Sequence, residues 1–416
     1  MQSSALSDRK IEDIQALRGI SILLVLLQHL SLTSFLFAKF PHKVSVPFFL
    51  GVEIFFLISG YVVTLALFKD DFRGLRFLIK RIFRLTPVLI LFVAFSYAVV
   101  LAVRVVAPAE SPLITYLAPD DASFFRQAVS IVGGFFLLLK TPTSYQNGAM
   151  WSLSVEDQFY AAIAVICVGA ALLKRITRIP AKWWVGAVSA LIVVTITWMR
   201  VRHFRGRPAT VIWPDLLGYL FAWRFDFLGL GVLLAMFDRS FPGKIRNYFQ
   251  ERGPFLTSFL LLLPLCLAAL CEASIDSSRR LLDGLAMPLI LACFAVLVLL
   301  AGNNCAFAGS RGSLYRCLVW VGNRSYTIYV FHFPVLALSW VIVTRYPQLA
   351  ATTALGGCVT QAAMMILILP AIVEPIYRWV EMPLTRYGKR LVEGRRTPIV
   401  TEIEPTVETF AIRKAA

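Results

Sequence analysis

The chain has 416 residues, 58% of them hydrophobic and only 16% charged, and its mean hydropathy is +0.73. Soluble domains carry about 25% charged residues, so this composition excludes an ordinary soluble protein and predicts an integral membrane protein. The formal charge of +17 does not indicate nucleic-acid binding, because the basic residues are scattered between apolar segments and form no single patch.

Ten apolar windows are long enough to cross a bilayer, which takes about 20 helical residues. They predict an all-α, polytopic membrane bundle of about ten transmembrane helices. A further stretch, 128–139, is short for a span and is interpreted as a re-entrant or interfacial helix. The ten windows are 14–37, 46–68, 85–106, 151–173, 183–199, 214–237, 255–271, 283–301, 318–343 and 353–379.

The basic residues also predict the orientation of the bundle. With ten spans, most loop Lys and Arg residues fall on the side of the N-terminus, and cytoplasmic loops are the ones enriched in these residues. We therefore expect both termini in the cytoplasm, with residues 1–390 as the membrane domain and 391–416 as a disordered tail. The Arg-rich segment 200–207, which begins with Arg200, is an exception, because this orientation places it in an outer loop.

The first window carries Arg18 and His29, where ionisable groups are costly. These residues argue against a cleaved signal peptide, so 14–37 is interpreted as a retained helix. The two side chains share one helix face, about 16 Å apart along the axis. An imidazole can take a proton from a hydroxyl near neutral pH, so His29 is a candidate general base. A histidine that only packs against a neighbouring helix would give the same pattern.

The next two windows add a carboxylate and a basic cluster. Glu53 is a candidate partner for His29, or else an ion-pairing residue at the outer interface. Arg81 and Arg84, preceded by Lys80, stand at the cytoplasmic end of the third window. The planar guanidinium suits bidentate phosphate binding, although ordinary anchoring by positive loops explains the same residues.

Further polar residues enter the later windows. Glu156, near the outer start of the fourth, is a candidate for binding an acceptor hydroxyl or positioning His29, or else a helix N-terminal charge. Arg224 and Asp226 are two residues apart and point to different faces, so each is expected to pair with another helix. Residues interpreted as lining a pocket or as structural are Trp151, Ser154, Tyr160, Arg224, Asp226, Arg324, His332 and Glu381.

Motifs of soluble enzymes are missing from the sequence. It contains no GxSxG elbow, P-loop or HExxH, which argues against esterase, nucleotidase and metalloprotease functions. The seven cysteines form no CxxC pair and there are four histidines, so we expect neither a disulfide framework nor a metal site.

Seven short motifs follow one another along nearly the whole chain. They are Arg18-Gly19 with His29; Gly51 to Tyr61; Arg81-x-x-Arg84; Trp151 to Tyr160; Arg224-Phe225-Asp226 with Gly229; Gly322 to Tyr326 with His332; and Tyr377-Arg378 with Glu381. With these motifs the chain resembles the acyltransferase-3 family of membrane O-acyltransferases, which modify bacterial lipopolysaccharide, exopolysaccharide and related glycans. Lys80, Asp157 and Phe331 are conservative departures from the family pattern.

The resemblance implies a multi-pass protein of the bacterial inner membrane that binds no permanent cofactor. Its donor is expected to be cytoplasmic acyl-coenzyme A, in particular acetyl-coenzyme A, and its acceptor a glycan or glycolipid hydroxyl on the periplasmic side. Some relatives carry a C-terminal SGNH-type hydrolase domain, and here we expect a stand-alone membrane module, since only a short tail follows the last span. A secondary transporter is the alternative function, although no inverted repeat is visible.

Within that reaction, the resemblance implies that Arg18 and His29 are essential and that Arg81 and Arg84, with Lys80, hold the donor. We expect His29 to act as the general base on the acceptor hydroxyl. Arg18 would line the donor channel or stabilise charge, and Glu53 or Glu156 would orient the imidazole. In a variant mechanism His29 itself carries the acyl group.

Overall fold

A computed structural model describes residues 11–30, 47–106, 120–133, 148–204, 224–241, 243–249, 252–273, 286–307, 312–346 and 361–393. Most of these residues are helical and none of them forms a strand, which confirms the all-α fold class. In chain order the helices are α1 (Glu12–His29), α2 (Leu50–Lys69), α3 (Gly74–Val106), α4 (Asp121–Val132), α5 (Met150–Thr177), α6 (Ala181–Phe204), α7 (Phe225–Ser240), α8 (Lys244–Phe249), α9 (Gly253–Ala273), α10 (Met287–Gly302), α11 (Ser313–Asn323), α12 (Ser325–Arg345) and α13 (Gln361–Glu393).

Each of the ten predicted windows overlaps a helix of the structure. Six helices, namely α2, α3, α5, α6, α9 and α13, have the length and apolar composition needed to cross a bilayer. The helices α10 and α12 contain shorter apolar segments, and α1 and α7 overlap the two remaining windows. The protein is therefore a multi-pass membrane protein. The position of both termini in the cytoplasm stays a prediction.

Two predicted boundaries were wrong. The third window was placed at 85–106, whereas α3 begins at Gly74. The prediction began too late because the basic residues of 74–84 lower the hydropathy of a segment that is helical in the structure. The window 318–343 is not one span but two helices, which meet at Arg324 (φ −104°, ψ 5°). Arg324 ends α11 where its guanidinium pairs with Glu374 of α13 and lies over the ring of Trp320, 4.4 Å from the centroid.

The short apolar stretch and the tail are described only in part. The helix α4 overlaps the start of 128–139, spans about 18 Å at 1.5 Å per residue, and is joined to α3 by the 2.8 Å Arg104–Asp121 pair. The helix α13 contains two π-helical segments and continues to Glu393, three residues beyond the predicted end of the membrane domain. Residues 394–416, predicted to be a disordered tail, lie outside the described part.

Glycines set the distance between α2 and α7. A Cβ added at Gly60 would lie 2.1 Å from the carbonyl oxygen of Leu228, and one added at Gly231 would lie 2.3 Å from that of Leu57. Such contacts are possible only without side chains, as in other close helix pairs in membranes. The two backbones therefore touch, and this contact fixes the start of α7 against the helix that carries Glu53.

The start of α7 holds two ion pairs with other helices, as the spacing of Arg224 and Asp226 predicts. The Arg224 guanidinium lies 3.4 Å from the Glu53 carboxylate of α2, and Asp226 binds Arg200 of α6 at 2.6 Å. Arg200 was expected in an outer loop, and this was wrong. Its side chain is 1% exposed because the helix α6 runs on to Phe204 and brings the guanidinium into the bundle opposite Asp226.

We expect Arg200→Met to reduce the amount of folded protein, because the substitution leaves the buried Asp226 carboxylate without its cation. Breaking a buried pair from one side costs about 3–5 kcal/mol. The double variant Arg200→Met with Asp226→Leu removes both charges and should recover much of the loss. Thermal unfolding in detergent, followed by size-exclusion fluorescence, measures both effects. Equal midpoints for the wild type and Arg200→Met would contradict this account of the pair.

Candidate active site

A cavity that is partly open to the outside lies between five helices, α1, α2, α3, α5 and α12. One wall is aromatic and apolar and includes Phe55, Phe56 and Val62 of α2. Ten polar residues also line the cavity, and all of them except Ser59 of α2 belong to the other four helices. They are Arg18, Ser59, Arg81, Arg84, Ser152, Glu156, Tyr160, Ser325, Tyr326 and Tyr329.

Three arginines give the cavity its charge. Arg81 and Arg84 are one turn apart on α3, and Arg18 reaches the same space from α1. The guanidinium of Arg81 lies 4.9 Å from the ring centroid of Tyr160, which is a cation–π geometry. Arg84 has Glu381 at 3.8 Å. The sequence predicted Arg81 and Arg84 as a pair and Arg18 as a candidate residue of the same donor site, and the structure brings the three to one cavity.

Two polar atoms at the cavity have no partner within the described part of the chain. They are Nε of Arg18 and Oγ of Ser325, both buried. Burying a polar group without a hydrogen bond is unfavourable, so such atoms indicate a place where a ligand or water binds. Three cations face one lining carboxylate, that of Glu156, and the cavity therefore favours an anionic ligand.

The carboxylate of Glu156 is held by a hydroxyl chain. The Tyr160 hydroxyl donates to Glu156 at 3.2 Å, and the Ser59 hydroxyl lies 2.7 Å from that of Tyr160. Tyr160 can donate only one proton, so Ser59 donates to Tyr160. This chain links α2 to α5 and fixes the acid against the arginines. The role of Glu156 in orienting His29 stays a prediction.

His29 ends α1 and is half-buried. Its ring lies 5.3 Å from the ring of His332 and 4.6 Å from that of Phe333, measured between centroids. His29 is not among the residues that line the cavity. Tyr329, which lines the cavity, lies one turn before His332 on α12, and the rings of Tyr329 and His332 are 5.5 Å apart between centroids. The Tyr329 hydroxyl is anchored 2.5 Å from that of Ser152.

Tyr326, Tyr329 and His332 were not recognised together from the sequence. They follow one another at three-residue intervals on α12, so they lie near one face of an otherwise apolar helix. This spacing was the signal that would have linked the cavity to His332. Tyr326 donates to the backbone oxygen of Leu85 at 3.0 Å and thereby joins α12 to α3 beside the arginines.

A family model described as an acyltransferase domain (acyltransferase 3) matches residues 11–372, which include every residue of this cavity. The chain belongs to the acyltransferase-3 family. The match confirms the resemblance inferred from the seven motifs. No solved structure matches this acyltransferase.

Relatives of this acyltransferase are named as enzymes that acetylate peptidoglycan, a cell-wall glycan. Peptidoglycan O-acetyltransferase OatA of Listeria monocytogenes is 25% identical over 92% of this chain and 57% of its own length. The candidate peptidoglycan O-acetyltransferase YrhL of Bacillus subtilis is 25% identical over 97% of this chain and 61% of its own length. The chain thus spans about three fifths of these relatives.

The other predicted residues of this acyltransferase do not line the cavity. Glu381 accepts from the Thr327 hydroxyl at 2.6 Å, which places its carboxylate beside Arg84. Trp151 meets Phe56 edge-on at 6.0 Å, and Ser154 accepts from Gln158 at 3.1 Å. Within the described ranges, no group of three or more His, Cys, Asp or Glu side chains has a metal-binding arrangement.

Lys80 does not line the cavity. Its ammonium pairs with Asp70 at 2.7 Å and with Glu393 at 2.9 Å, and so connects the end of α2, the start of α3 and the end of α13. We expect Lys80→Ala to increase hydrogen exchange in the last turn of α13, because the ion pair to Glu393 is lost. The KM for the acyl donor should stay within about twofold, because Lys80 does not line the cavity. A large rise in KM would show instead that Lys80 touches the donor.

Proposed function

We propose that this chain is an O-acetyltransferase of the bacterial cytoplasmic membrane. It moves an acetyl group from acetyl-coenzyme A to a hydroxyl of a cell-wall glycan, and a peptidoglycan-type sugar is the preferred acceptor. The observation that carries the proposal is the arginine-lined cavity that approaches His29 through Tyr329 and His332. The names of the relatives support the acceptor class.

The donor suits the charge of the cavity. Coenzyme A carries a pyrophosphate and a 3′-phosphate, and Arg81 and Arg84 present two planar guanidinium groups one helix turn apart. Arg18, whose Nε is buried and has no hydrogen-bond partner among the described residues, adds a third cation on α1, the helix that ends at His29. The phosphates bind at the arginines, and the pantetheine arm extends along α12 towards Tyr329.

The acetyl transfer then takes place beside His29. The imidazole accepts the proton of the acceptor hydroxyl while the hydroxyl oxygen attacks the thioester carbonyl. The new C–O bond forms, the C–S bond breaks, and the proton passes to the departing coenzyme A thiolate. The products are the acetylated glycan and free coenzyme A. The side chain of His29 is partly exposed at the end of its helix, which gives an acceptor access to the ring.

The test uses the purified protein in lipid nanodiscs with radiolabelled acetyl-coenzyme A. Peptidoglycan fragments, a lipopolysaccharide-derived oligosaccharide and buffer serve as parallel acceptors. We expect release of coenzyme A with transfer of label to the peptidoglycan fragments above the other two. A protein that releases no coenzyme A with any acceptor, as a solute transporter would, contradicts the proposal. Label transfer only to the lipopolysaccharide sugar would contradict the choice of acceptor.

A further inference from the structure

We propose that His332 positions His29 for catalysis by accepting a hydrogen bond from its imidazole, an inference that rests on the acetyl-transfer function above. The two rings are 5.3 Å apart and inclined by 32°. Phe333 packs against both, with its centroid 4.6 Å from each. His332 is 0% exposed, so it lies inside the bundle, and in the described part of the chain the partly exposed ring of His29 is beside it.

The backbone of α12 determines which nitrogen of His332 carries the proton. Nδ1 lies 2.5 Å from the carbonyl oxygen of Tyr329. A carbonyl oxygen can only accept, so Nδ1 must be the donor, and in the neutral ring Nε2 is then a bare acceptor. That atom is buried and has no hydrogen-bond partner among the residues the structure describes. An acceptor held in this way is available to a donor that arrives during the reaction.

His29 is the donor that fits. The two carboxylates predicted to orient its ring contact other residues in the structure: Glu53 pairs with Arg224, and Glu156 accepts from the Tyr160 hydroxyl. The described ring contacts of His29 are with His332 and Phe333. Rotation of the partly exposed His29 side chain, or one bridging water, closes the remaining gap to Nε2 of His332.

The arrangement gives His332 the task of the third group in a nucleophile–base–orienter set. One nitrogen of His29 takes the proton of the acceptor hydroxyl, and the other nitrogen, as N–H, donates to Nε2 of His332. This hydrogen bond keeps the lone pair of His29 directed at the hydroxyl. No proton is consumed at His332, and the proton gained by His29 leaves with the coenzyme A thiol as before.

Two isosteric variants separate positioning from packing. In His332→Asn the amide nitrogen can replace Nδ1 and still donate to Tyr329, whereas the acceptor at Nε2 is lost. In His332→Gln the amide oxygen can replace Nε2 as an acceptor, whereas the bond to Tyr329 is lost. Positioning therefore predicts that kcat falls at least tenfold in the Asn variant, with the KM for acetyl-coenzyme A unchanged, and that the Gln variant retains more activity.

A purely structural role of His332 predicts the opposite order, with activity retained in His332→Asn and lost in His332→Gln. This result would overturn the inference. Ser339→Ala on the same helix is the control, because the hydrogen bond described for its hydroxyl goes to Leu336 of its own helix. If the wild type is active and His332→Asn is fully active, the inference is wrong and the proposed function is unaffected. If the wild type is inactive, the proposed function and the inference are both wrong. Nitrogen-15 spectra of the wild type, which need no variant to fold, should show Nε2 of His332 unprotonated; a protonated Nε2 would overturn the proposal.

Discussion

Replacing His29 with alanine is expected to lower acetyl transfer about 10²–10⁴-fold, the contribution of a positioned general base. The donor should still bind, because Arg18, Arg81 and Arg84 line the cavity without His29. The fold should survive as well, since His29 is the last residue of α1 and is partly exposed. Coenzyme A release and acceptor acetylation, measured together in nanodiscs, give the rate.

The matched control for His29 lies two residues earlier. Leu27 is 38% exposed on the same turn of α1, so Leu27→Ala truncates a neighbouring side chain of α1 without touching the proposed chemistry. It should transfer acetyl groups at the wild-type rate. Transfer by His29→Ala at more than about a tenth of the wild-type rate would remove His29 from the mechanism. If label from acetyl-coenzyme A stays on wild-type protein without acceptor and is absent from His29→Ala, the histidine carries the acyl group instead.

The second large effect is expected at the arginines of α3. Arg81→Ala should raise the KM for acetyl-coenzyme A about 10- to 100-fold, because a hydrogen bond to a charged group contributes about 1.5–3 kcal/mol. The rate at saturating donor should change much less, since Arg81 binds the phosphates and not the thioester. Arg81→Lys should be intermediate, because an ammonium keeps the charge and loses the bidentate geometry.

Arg76 provides the control on the same helix. It is an exposed arginine of α3 and does not line the cavity, so Arg76→Ala should leave the KM unchanged. Acetyl-dephospho-coenzyme A, which lacks the 3′-phosphate, tests which phosphate Arg81 contacts. If Arg81 binds the 3′-phosphate, the wild type should lose affinity for this analogue and the Arg81→Ala variant should lose none. Equal rises in KM for Arg76→Ala and Arg81→Ala would indicate a general charge effect.

The helices were predictable from sequence because hydropathy depends on each segment alone. The ten windows required only runs of apolar residues of sufficient length. The start of α3 and the break at Arg324 were not predictable from sequence, because both depend on partners distant in the chain. Basic residues of α3 face a cavity that other helices create, and Arg324 ends α11 where it meets Glu374.

Several residues of the candidate site could be predicted from the sequence, but the partners that the charged residues contact could not. Arg18 and Glu156 were singled out as charged groups in apolar segments, and Arg81 and Arg84 as a pair suited to phosphate binding. The structure brings all four to one cavity. The partner of Glu53 is Arg224 and that of Arg200 is Asp226. Such pairs are set by which helix faces meet, and a single sequence without covarying positions does not contain that information.

The most direct test of the central claim is a cryo-electron microscopy structure of the protein in nanodiscs with coenzyme A bound. The account predicts the phosphates against Arg81 and Arg84, the pantetheine arm between α1 and α12, and the thiol nearest to Tyr329, His29 and His332. Density for the nucleotide at another surface, or a thiol directed away from His29, would contradict it.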